Sequence, residues 1–248
     1  MEKQIVMFSG GASSAYLAKL VVDEYGKENT ILLHTPTYAE SPDADRFRKA
    51  VAKYLGLDIT VEELGKDLWT LIEDNNCLPS FHIPFCTTDL KIRMSRRYWK
   101  RLKKQGYDFT VHFGYGAKEW RRVQKQLVRL ECEGFKSRYL IHERQINEEF
   151  IRKTIRDEWK ICLPETYRFL SHNNCIPCWK GGKAHWVAVA KYYPEEFKRA
   201  MELEDKIGHT VFKDCTLKDI WQQVQTQKLQ ISMFEDDDFG IPCMCAID

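Results

Sequence analysis

The first half of the chain repeats one pattern: a short apolar run, a turn of glycine or polar residues, then an amphipathic stretch. Ile5-Val6-Met7-Phe8 is an apolar run of strand length, and from Ser13 onward Leu17, Leu20 and Val21 share one helical face. Runs of the first kind read as buried strands and stretches of the second as surface helices. The same reasoning predicts a second strand at Thr30–His34, a helix over 44–55, a third strand at Ile59–Val61 and a helix near 68–73. A loop with Pro79 and Pro84, a basic helix over 91–104 and a fourth strand over 109–113 follow. Strands that alternate with helices need crossover connections, which gives an α/β fold with a parallel sheet and helices on both faces. From about residue 147 helical patterns dominate, over 148–160, 183–192, 195–207 and 216–227, with Pro194 suited to a first turn and Thr216 to a cap.

Bulk properties narrow the class. The chain has 248 residues and is 44% hydrophobic, enough for one α/β domain with a smaller C-terminal subdomain. No stretch approaches a membrane span and the first apolar run is too short for a signal peptide, so a cytoplasmic location is expected, with no membrane partner. Nine cysteines in such a chain point to metal or redox chemistry rather than a disulfide framework. The net charge of +2 is uninformative, but residues 91–104 carry eight basic side chains and no acid. Such a helix serves a second phosphate or a nucleic-acid backbone, tRNA or DNA, or is simply a solvated face with snorkelling lysines. The acidic run Glu235-Asp236-Asp237-Asp238 carries no assigned role.

The chemistry begins at Ser9-Gly10-Gly11-Ala12-Ser13-Ser14, between the first strand and the first helix. Two glycines let the backbone approach a ligand, the serines add donors, and the helix N-terminus favours a phosphate. An ordinary turn capped by Ser13 is the plainer alternative. The loop matches neither GxxxxGK[ST] nor GxGxxG. It resembles the SGGxxS signature of the PP-loop superfamily of ATP pyrophosphatases and sulfonucleotide reductases, and the whole chain resembles the phosphoadenosine-phosphosulfate-reductase family. Ala12 and Ser13 stand where much of the superfamily has Lys and Asp, which changes the charge around a metal-bound triphosphate.

The resemblance implies an adenine nucleotide alpha-hydrolase-like (HUP, Rossmann-like) sheet over residues 1–146 and a helical subdomain over 147–248 packed on it. It implies an ATP or adenylylsulfate-type ligand with Mg²⁺, bound by Ser9, Gly10, Gly11, Ser13 and Ser14, with His34 and Thr35 near the adenine and ribose. Gly114, Glu119 and Arg122 match its Gly-x-x-x-x-Glu-x-x-Arg stretch, and Lys91 matches a lysine near the substrate phosphates or sulfate. Each has a structural alternative: a satisfied histidine, a glycine turn, a surface i,i+3 pair, one more lysine on a basic helix.

Cys175-Ile176-Pro177-Cys178 is a CxxC, able to chelate a metal or form a redox pair. In the family a Cys-Cys pair with a following Lys, and a later CxxC, ligate a [4Fe–4S] cluster. Cys86 and Lys91 match the first Cys and the Lys, Cys175 and Cys178 match the CxxC, and Thr87 replaces the second Cys. Cys243 or Cys245 supplies the missing ligand, or one iron stays open. A zinc site of Cys175, Cys178, Cys243 and Cys245 competes with this. Cys245 also lies where sulfonucleotide reductases carry a C-terminal nucleophile, although their Glu-Cys-Gly-Leu-His setting is absent. Trp179-Lys180-Gly181-Gly182 is a candidate metal shield, and Cys77, Cys132, Cys162 and Cys215 read as core or neutral. Two enzymatic readings compete, ATP-dependent adenylate formation with sulfur or another nucleophile displacing AMP, and thiolate attack on an adenylylsulfate. Nucleotide binding without turnover, with a structural zinc and a role in nucleic-acid modification or defence, is the alternative. A homodimer is left open.

Overall fold

A computed structural model describes residues 2–226. Its centre is a five-stranded, all-parallel sheet of order β3-β2-β1-β4-β5, formed by β1 (Lys3–Met7), β2 (Thr30–His34), β3 (Ile59–Val61), β4 (Phe109–His112) and β5 (Lys136–Arg138). The last strand, Lys-Ser-Arg, lacks any apolar run, so its polar sequence gave no strand signal; pairing with β4 makes it one. Because side chains alternate along a strand, β1 feeds two cores. Val6 joins Leu32 and helices α1 (Ala12–Tyr25) and α2 (Pro42–Leu55) on one face. Ile5 joins Leu33 and Val111 on the other face, with the helix carrying Tyr98 and Trp99.

That basic helix is longer than its charge run. It starts with α4 (Phe85–Thr87), widens through a π turn at Thr88–Ile92, and continues as α5 (Arg93–Lys104). Cys86, expected just ahead of the helix, is therefore on its first turn. α3 (Leu68–Asn75) precedes it, and α6 (Trp120–Cys132) follows β4. The remaining helices are α7 (Leu140–Glu143), α8 (Glu148–Lys153), α9 (Lys183–Tyr192), α10 (Pro194–Ile207) and α11 (Leu217–Gln225). Pro194 does occupy the first turn of α10, and Thr216 caps α11 in a reciprocal box with Asp219.

The apolar clusters draw on both sides of residue 146. Ile151, Ile155 and Trp159 complete the core over α1 and α2. Leu68, Trp69 and Ile72 of α3 pack with Trp186, Phe197 and Ile220 of the C-terminal helices. Among the described residues no helix is long and apolar enough to cross a membrane.

Candidate functional site

The strand order reverses between β1 and β4, so the turns that follow these strands part and leave a crevice at the carboxyl edge of the sheet. Open parallel sheets bind ligands at such a switch point. A cavity of about 700 Å³ lies there. Its walls include Ser9, Gly11, Ser13, Ser14, His34, Thr35, Lys91, Gly114, Glu119 and Arg122, so these residues expected around a nucleotide converge on one space, while Gly10, also expected there, does not line it.

The glycine loop has a tighter build than the sequence suggested. Gly10 has φ +89° and lies against Arg48, while Gly11, not Ser13, is the N-cap of α1, which begins at Ala12. The Ser14 hydroxyl donates to the Gly11 carbonyl at 2.9 Å. Two residues from the C-terminal half hold the loop: the Ala12 N–H donates to the Tyr167 hydroxyl and the Asn173 amide to the Gly10 carbonyl, each at 2.9 Å. No sequence signal pointed to Tyr167, Asn173 or buried Arg48, because their roles rest on contacts far along the chain. Gly114 brings the second turn onto the first; a Cβ there would lie 3.2 Å from the Ser14 nitrogen.

His34 is buried and its Nδ1 lies 3.1 Å from the Phe8 carbonyl, to which it donates. Burial first, then the Arg48 charge, push its pKa down, so the ring is neutral. Glu119 accepts the Gly116 N–H at 2.6 Å and pairs with Arg122, whose guanidinium stacks 4.5 Å from the Tyr115 ring centre. Glu119 thus positions Arg122 on the cavity wall. Arg96 and Arg129, both bridged to Glu133, line the same cavity and add to its positive side.

A second, small pocket of about 10 Å³ adjoins it, lined by Cys86, Cys175, Cys178, Thr37, Thr87, Lys91 and Lys180, with apolar Leu68, Pro177 and Trp179. Lys91 lines both spaces. The π turn explains its position: i→i+5 bonding, seen between the Arg93 N–H and the Thr88 carbonyl, puts residues five apart on one side, and Cys86 and Lys91 are so spaced. Burial lowers the Lys91 pKa, but Cys175 and Glu40 beside it outweigh this and hold it above the ordinary value. Burial pushes the Cys175 thiol up to about 12 and the Cys178 thiol up as well. Cys175 is 3.2 Å from the Thr37 hydroxyl. The Cys178 N–H donates to His185 Nε2 at 2.7 Å, which ties the CxxC loop to α9. Trp179 is buried beside it, and buried Lys180 donates to the Thr87 hydroxyl at 2.8 Å.

The sulfur donors suit a soft metal, as do two nearby ammonium groups that would balance thiolate charge. The pocket between them is small, about 10 Å³, with room for roughly one water-sized atom. Among the described residues no group of three or more His, Cys, Asp or Glu side chains could hold a metal ion. Cys243 and Cys245 lie outside the described residues, as does the acidic run. Of the cysteines expected to be core or neutral, Cys132 and Cys162 are exposed and Cys77 is part-buried, while part-buried Cys215 packs against the core of the C-terminal helices.

The basic helix is largely spoken for. Arg93 pairs with Asp89, Arg96 with Glu133, and Arg97 and Arg101 with buried Glu62, while Lys103 reaches the Gly134 carbonyl. Its four arginines therefore make intramolecular ion pairs, while Lys100 and Lys104 are exposed. No protein-family model matches the chain, and no curated protein matches it.

Proposed function

We propose that the protein binds an adenine nucleotide, ATP or an adenylylsulfate, across the glycine loop and Gly114, and uses it in adenylate-forming or sulfur-related transfer. In this reading the sheet is of the adenine nucleotide alpha-hydrolase-like class. The observation that carries it is Lys91, which lines both the 700 Å³ cavity and the pocket of Cys86, Cys175 and Cys178. One cation thereby connects a phosphate-sized crevice to a thiol cluster.

The roles follow from position. The first turn of α1, through Ser13 and Ser14, faces the phosphates with its positive dipole end. Arg122, held by Glu119, offers a fork to a phosphate or sulfate oxygen. Lys91 stabilises negative charge that develops on the leaving phosphate or on the attacking sulfur. Mg²⁺, when bound with ATP, would offset triphosphate charge, with Glu40 and Glu148 on the cavity wall as candidate holders. No step is assigned to a metal at the cysteines.

Binding without turnover is a second reading. It is favoured by the Tyr167 hydroxyl, which takes the Ala12 N–H that a phosphate would otherwise use. Calorimetry with ATP and with adenylylsulfate, alongside release of AMP, pyrophosphate or sulfite, separates the readings. Saturable binding with release supports the enzyme; binding alone supports the second reading; no binding of either nucleotide overturns both. Iron and zinc content of anaerobically purified protein, compared with Cys175→Ser/Cys178→Ser, tests the metal. Stoichiometric metal that the double variant loses would place it at these thiols, and metal unchanged in the variant would place it elsewhere.

A further inference from the structure

Nucleotide binding, as proposed above, leaves one end of the large cavity unused. The cavity wall draws on two apolar clusters. Phe8, Ile151 and Tyr167 belong to the cluster around α1, and Trp99, Phe113 and Leu130 to the one between the sheet and α5. The glycine loop leads into α1, so a nucleotide held there lies towards the first cluster. The other end is built from α5 and α6. Arg122, Gln126 and Arg129 are spaced four and three apart on α6 and line the cavity from one helical face, and Arg96 of α5 lines it too.

Two observations at this end point to a ligand. Gln126 is 6% exposed and lines the cavity, yet its amide has no hydrogen-bond partner among the described residues. A buried amide without a partner costs free energy that a bound polar group recovers. The second observation is charge. Arg122 is matched by Glu119, but Arg96 and Arg129 share one carboxylate, Glu133, and neither pairs with another among the described residues. Two guanidiniums against one carboxylate leave one positive charge. Arg129 is the less satisfied of the two: its Nε is 3.5 Å from Glu133 Oε1, and it forms no hydrogen bond among the described residues.

One surplus charge matches a carboxylate better than a phosphate dianion. An amide N–H beside a guanidinium fork is a donor set for two carboxylate oxygens. Trp99, Phe113 and Leu130 line the same end and suit an apolar body. We propose that this end of the cavity seats an organic monocarboxylic acid with an apolar body, its carboxylate held by Gln126 and Arg129, with Arg96 adding charge. The acid is the second substrate of the nucleotide-dependent transfer, a role that rests on the function proposed above. The step is binding alone; no bond is made or broken.

The test is calorimetry of the full chain with benzoate, with benzamide as its neutral analogue and phenyl phosphate as its dianionic one. Wild type is expected to bind about one benzoate per chain, with benzamide about tenfold weaker or more and phenyl phosphate no tighter than benzoate. Arg129→Met should weaken benzoate binding by about tenfold, the loss of one charge-assisted hydrogen bond. Gln126→Leu, of similar size, should weaken it by about threefold or more. Absence of benzoate binding to wild type, or unchanged affinity in either folded variant, overturns the seat. If Arg129→Met does not fold, Gln126→Leu alone decides. Benzamide binding as tight as benzoate overturns the role of charge, and tighter binding of phenyl phosphate overturns the carboxylate assignment. ATP affinity, measured on the same samples with and without saturating benzoate, keeps the two ideas apart. Gln126→Leu should bind ATP like wild type, and benzoate should leave ATP affinity unchanged; benzoate that excludes ATP overturns a seat separate from the nucleotide. Failure of wild type to bind nucleotide strikes the proposed function, whatever the benzoate result.

Discussion

At the scale of single residues, the site depends on a few positions where backbone and side chains meet at close quarters. Gly10 is one: its φ of +89° disfavours any side chain, and a Cβ would come within 2.9 Å of the Arg48 side chain. Gly10→Ala should destabilise the fold by about 1–3 kcal/mol, read from urea unfolding, and weaken nucleotide binding in parallel. Unchanged stability would show that Arg48 yields and that the loop is not held against it. The glycines were legible in the sequence because positive φ and close approach call for glycine. Arg48, Tyr167 and Asn173 were not, because one arginine, tyrosine or asparagine looks like any other until its partner is known. Thr87 and Lys180 are similar. The sequence showed a threonine beside a cysteine and a lysine after a CxxC, and the fold brought the two to 2.8 Å.

At the scale of elements, local rules governed the helix ends. The Asp219 N–H donates to the Thr216 hydroxyl at 3.1 Å and the Thr216 N–H donates to Asp219 at 2.8 Å. The two carboxylate oxygens of buried Glu204 accept the Val211 and Leu217 N–H groups, so α11 is anchored to α10 as well as capped. Thr216→Ala should cost about 1 kcal/mol, a shift in the denaturation midpoint without loss of nucleotide binding. An unchanged midpoint would mean that Glu204 alone sustains the helix start. The basic helix shows the limit of local reading. Its charge run suggested a polyanion surface, yet Glu62 on the sheet side and Glu133 after α6 pair with three of its arginines, Arg96, Arg97 and Arg101. Partners more than thirty positions away along the chain cannot be inferred from a charge pattern.

At the scale of the whole molecule, burial of neutral histidines makes stability depend on pH. Burial lowers the pKa of His112 from 6.5 to about 4, with the Arg138 charge as a smaller cause, and burial alone does the same for His185. His112 Nε2 lies 2.8 Å from buried Gln4 Oε1 and donates to it, joining β4 to β1. Below pH 6.5 the unfolded chain takes up protons that the folded one refuses, so stability rises with pH. This contribution is present in full above pH 6.5 and is lost as pH falls towards about 4. His112→Asn should show a shallower fall in unfolding midpoint across that window; a slope equal to wild type would remove His112 as a cause. Strand and helix periods, the glycine loop and the CxxC were determined by the sequence itself, since each is set by neighbours within a few residues. The edge strand β5, the capture of the glycine loop by Tyr167 and Asn173, and the meeting of Cys86, Cys175 and Cys178 around two lysines were decided only by tertiary structure. Those arrangements depend on which distant segments pack together, and packing is a property of the whole chain's cores rather than of any local pattern.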